Sequence, residues 1–78
     1  MKTLAQQFGE YVRDMRHVRH VRGLSQVEFG ERCGFYQTYL SRIERGQANP
    51  TLNAMEVIAN GLGVTIFEMF EAIKEADS

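Results

Sequence analysis

A Ser-x-x-Glu pair at Ser25 and Glu28, a glycine at position 34 and a run of polar residues from Gln37 to Arg45 constrain this chain more than any other feature. The Ser-x-x-Glu spacing lets hydroxyl and carboxylate each cap a backbone N–H of the other residue, so a helix begins there. Gly34 falls where that helix must stop and the chain must turn, a conformation that costs least without a Cβ. The expected result is a helix over about Ser25–Cys33 that buries Phe29, a tight turn, and a second helix over about Tyr36–Arg45 closed by Gly46. That second helix buries Leu40 and Ile43. At about 100° per residue, Gln37, Thr38, Ser41, Arg42 and Arg45 fall in a sector of roughly 140° on its other side.

The remainder also reads as helix. Leu4, Phe8, Val12, Met15 and Arg19 recur at spacings of three and four, predicting a first helix from about Thr3 to Arg22 that ends at Gly23. Pro50 disfavours helix at the residue before it, so Gly46–Pro50 is a loop. Leu52, Met55, Ile58, Ala59 and Leu62 form an apolar stripe on a fourth helix over Thr51–Leu62, with Gly63 a better stop than Gly61. Thr65 and Glu68 repeat the capping box and open a fifth helix carrying Ile66, Phe67, Met69, Phe70 and Ile73. The expectation is a single all-α domain over residues 1–78, a compact bundle of five helices joined by short connections.

Size and composition narrow the possible roles. With 78 residues and 44% apolar content, the chain is a small globular domain near the lower limit for a self-sufficient core. It contains no run of 18 apolar residues and no apolar N-terminal signal core, so a cytoplasmic protein without a membrane partner is expected. The lone Cys33 reads as a small core residue rather than a nucleophile. His17 and His20 lack a second ligand pair, so no metal or cofactor is expected. Glu68, Glu71, Glu75 and Asp77 read as a solvated helix face, and no nucleophile–base pair points to an enzyme. The net charge of −1 hides a division: residues 1–50 carry +3 and residues 51–78 carry −4. The basic share lies on the half that holds the helix–turn–helix, and whole-chain charge understates such a patch.

An exposed face of amide, hydroxyl and guanidinium groups can read base edges in the major groove of double-stranded DNA. The segments Arg19-x-x-Arg22-Gly23-Leu24-Ser25-Gln26, Cys33-Gly34, Tyr39 to Gly46 and Asn49-Pro50-Thr51-Leu52 resemble the phage-repressor/Cro-like (Xre) helix-turn-helix family over roughly residues 6–72. The short chain and its Gln-Thr-Tyr-Leu recognition segment are similar to the controller proteins of restriction–modification systems. The resemblance implies a five-helix, lambda-repressor-like domain that regulates transcription as a homodimer on a palindromic operator, often its own promoter, with RNA polymerase as a further partner. It also implies residue roles. Gln26 would touch a phosphate and brace the recognition helix. Gln37, Thr38 and Arg42 would face bases, with Ser41 on the same face. Tyr39, Arg45 and Asn49 would approach the backbone or groove, and Arg19 would pair with Glu44. Two positions depart from the pattern. Tyr36 offers no short capping acceptor, but its hydroxyl can reach a phosphate. Gly30 stands where alanine is usual, at a helix cost of about 1 kcal/mol.

The dimer contact is expected over about residues 62–74, with Phe70 and Phe67 turned to the core and Ile66, Met69 and Ile73 forming an outward patch. The alternative role is an antitoxin-type module that binds a toxin as well as its own promoter.

Overall fold

The computed structural model describes residues 1–18 and 25–76. Over them run five helices: α1 (Leu4–Val18), α2 (Gln26–Cys33), α3 (Gln37–Glu44), α4 (Leu52–Gly61) and α5 (Ile66–Ala76). The described residues form no strand. The all-α expectation is met, and the Gly23 stop lies outside the described residues.

Helix ends follow side-chain chemistry. At α2 the Ser25 hydroxyl accepts from the Glu28 N–H (3.1 Å), and the Glu28 carboxylate accepts from the Ser25 N–H (3.1 Å). Thr65 and Glu68 repeat this reciprocal pair at α5. Thr51 caps α4 through the Ala54 N–H. Thr3 and Gln6 form a similar reciprocal pair before α1. Tyr36 gives α3 no side-chain cap, as its chemistry implied. Gly34 ends α2 with φ 77°, and Gly63 rather than Gly61 takes the left-handed conformation after α4, with φ 80°.

The core is built from Phe8 and Val12 of α1, Phe29 of α2, Leu40 and Ile43 of α3, Ile58, Ala59 and Leu62 at α4, and Met69 and Ile73 of α5. Leu4 and Leu52, expected on apolar stripes, are instead exposed at the first turns of their helices. α1 crosses directly over α3. At the crossing Gly9 is buried, and a Cβ there would sit 2.3 Å from the Ile43 carbonyl oxygen. Gly30 is also a close approach, because a Cβ would lie 2.7 Å from the Phe35 carbonyl oxygen. The glycine at that position is therefore matched to the turn that follows α2, beyond any helix cost.

α5 requires a correction. Met69 and Ile73 are buried in the core of the single chain and Ile66 is half-buried, whereas Phe67 is 80% exposed and Phe70 lies at the exposed edge. Ile66, Met69, Ala72 and Ile73 share one arc of the helix, and the wider arc, not the larger rings, packs inward.

Candidate nucleic-acid interface

α2 and α3 hold the candidate site, and α1 braces it from behind. Of the nine residues expected to meet DNA, Tyr36, Gln37, Thr38, Arg42, Arg45 and Asn49 are exposed, while Gln26, Tyr39 and Ser41 are half-buried. Tyr36 is 86% exposed at the mouth of the turn. Tyr39 packs edge-on against Phe35, with ring centroids 5.2 Å apart. Arg42 donates from Nη2 to the Gln47 carbonyl at 3.2 Å, which ties the recognition helix to the following loop. Leu40 and Ile43 are buried on the opposite side, as the periodicity required.

Behind this face lies a buried ion pair. Arg16 donates from Nε to Glu44 Oε2 and from Nη2 to Glu44 Oε1, each at 2.9 Å. Arg16 is 6% and Glu44 5% exposed. Arg16 is thus a partner of Glu44, and the expected contribution of Arg19 lies outside the described residues. Buried against Glu44, Arg16 is neither a phosphate contact nor a solvated surface cation. The pair extends forward: Gln26 Nε2 donates to Glu44 Oε1 (3.1 Å), and Gln37 Nε2 donates to Gln26 Oε1 (3.4 Å). The resemblance implied that Gln26 braces the recognition helix, but its bond to Glu44 was not foreseen. Spacing along one helix gives no sign of which side chains from α1, α2 and α3 converge.

Electrostatics add two details. Hydrogen bonding from the Ser25 backbone N–H, then from its side chain, holds the Glu28 carboxyl below its ordinary range. Partial burial pushes the Cys33 thiol up, against a smaller opposing effect of Arg32, so the thiol stays protonated at neutral pH. The described residues contain no His/Cys/Asp/Glu group arranged to hold a metal ion. No described helix is long and apolar enough to cross a membrane.

A capped helix, a glycine turn and a second helix with an exposed polar face, all packed on one small core, define a helix-turn-helix DNA-binding regulator. The helix-turn-helix domain family matches residues 7–69, and the chain belongs to that family. It is 44% identical over 52 residues to the uncharacterized HTH-type transcriptional regulator y4dJ of Sinorhizobium fredii, covering 67% of this chain and 68% of that one. It is 33% identical over 75 residues to control protein C.MunI of Mycoplasma sp, covering 96% and 99% respectively. Among solved structures, the restriction-modification controller protein C.AhdI from Aeromonas hydrophila aligns with a TM-score of 0.75 at 30% identity, over 85% of this chain and 96% of that one.

Proposed function

We propose that this protein controls transcription as a homodimer, in the manner of a restriction–modification controller protein, by binding a palindromic operator in its own promoter. The observation that carries this reading is the end-to-end match to control protein C.MunI, joined to a recognition helix whose polar face is open. One such helix reads only a few base pairs. Two related by a two-fold axis, with centres about 34 Å apart, would read two half-sites and gain useful specificity.

The exposed apolar surface supports pairing, although not through the residues first expected. Leu4, Pro50, Met55 and Phe70 line an open cleft between α1, α4 and α5, and Phe67 projects from α5. An exposed cluster of large apolar groups favours a partner surface, and a second copy is the partner proposed. The protein acts by binding rather than catalysis, and RNA polymerase beside the operator is the further partner this role calls for. The antitoxin alternative finds no support among these relatives.

Footprinting of the chain on its own upstream DNA tests the proposal. Protection of two inverted half-sites about one helical turn apart is expected, and a single unpaired footprint would refute the dimeric reading.

A further inference from the structure

We propose that Glu44, although buried and unable to touch DNA, sets base specificity by dictating through Gln26 which way round the Gln37 amide is presented. The inference rests on the reading of the α3 face as a DNA-reading surface. A glutamine side chain has a donor and an acceptor end of nearly equal size, so its orientation is fixed only by its neighbours. Glu44, gripped on both oxygens by Arg16, is a carboxylate that accepts and cannot donate. Only the NH2 end of Gln26 can satisfy it, and that end lies 3.1 Å from Glu44 Oε1. The oxygen of Gln26 is thereby turned toward Gln37, whose Nε2 lies 3.4 Å away.

A reversed Gln37 amide would set oxygen against oxygen. In the orientation present, Gln37 spends one N–H on Gln26 and keeps one N–H and one carbonyl oxygen for solvent or DNA. Donor and acceptor are then held in a fixed order, the complement of the N7 acceptor and N6 donor on the adenine edge. Glu44 is therefore a positioning residue. The order of hydrogen-bonding groups at the start of the recognition helix is inherited from the core.

The test uses the full chain and a pool of duplex DNA with randomised sequence. The position read by Gln37 is the one whose discrimination Gln37→Met removes. Gln26→Met keeps the Arg16–Glu44 pair but breaks the relay, and discrimination at that position should fall by about fivefold or more, with positions read by Arg42 unaffected. The double variant Arg16→Met with Glu44→Met replaces the ion pair by apolar side chains, an exchange that small domains often tolerate. It should lose discrimination at the same position. Uniform weakening on all sequences in Gln26→Met would make Gln26 a phosphate contact and overturn the relay.

A readout without DNA is the pair of Gln37 side-chain amide resonances in a 1H–15N spectrum. They should shift in Gln26→Met and in the double variant, and unchanged resonances would overturn the proposal. A wild-type chain that enriches no sequence would refute the DNA-reading surface itself. That outcome is distinct from a wild type that enriches a site and a Gln26→Met variant that still discriminates fully.

Discussion

Glu44 shows how a single side chain can matter without meeting solvent. Removing one member of a buried ion pair leaves the other charge stranded, at a cost of roughly 3–5 kcal/mol. A small domain has only about 5–15 kcal/mol in total. Glu44→Ala should therefore lose most of its stability in denaturant unfolding, and a midpoint equal to wild type would show the pair to be inconsequential. That Glu44 would be paired was implied by the family resemblance. Its bond to Arg16 was not, because periodicity along α1 does not show which of its residues packs against α3. Arg42 poses the opposite case, since it is exposed and bonds the Gln47 carbonyl. If it reads a base, Arg42→Ala should cost about 1–3 kcal/mol of discrimination between operator and random DNA. Equal weakening on both, with a shallower salt dependence, would make it a backbone contact.

Among the helices, the ends were the most legible feature, because capping chemistry is local and lies within four residues of sequence. The Ser25–Glu28 box makes a pH prediction. Its carboxyl is held below the ordinary glutamate range in the folded chain, so its contribution is complete above that ordinary value and disappears as pH falls through the lower folded value. Titration of Glu28 by NMR should show the depressed midpoint in wild type and a partial return toward the ordinary value in Ser25→Ala, which removes the hydroxyl but keeps the backbone N–H. Contacts between helices were harder to foresee. Gly9 resembles a weak point in a helix, yet its missing side chain is what lets α1 lie against the backbone of α3. Gly9→Ala gains about 1 kcal/mol of helix propensity but meets main-chain atoms that cannot rotate away, for which overpacking costs of about 1–3 kcal/mol are usual. The net effect should be a lowered thermal midpoint. A midpoint raised above wild type would mean that the crossing relaxes freely. The inward face of α5 was illegible for a different reason. Two apolar stripes share that helix, and periodicity alone does not rank them.

For the molecule as a whole, the five-helix bundle and the outward polar face of α3 followed from spacing, whereas the surface proposed for a second copy did not. That surface centres on Phe67 and Phe70 at the edge of α5. In a symmetric pair each substitution acts twice, so losing the burial of two phenylalanines should cost roughly 3 kcal/mol or more, on the order of a hundredfold in dimer affinity. Phe67→Asp should sediment as a monomer at concentrations where wild type is paired, and an unchanged dimer would place the contact elsewhere. The crossing of α1 over α3 has one more consequence, for how such a protein diversifies. Thr38, Arg42 and Arg45 stand on the outer side of a helix whose inner side is clamped by Leu40, Ile43 and Glu44. A library randomised at the outer three positions should consist largely of folded members, while one that includes Glu44 should be mostly unfolded. Lineages carrying this scaffold can therefore acquire new target sites one outer residue at a time, each step passing through a protein that still folds.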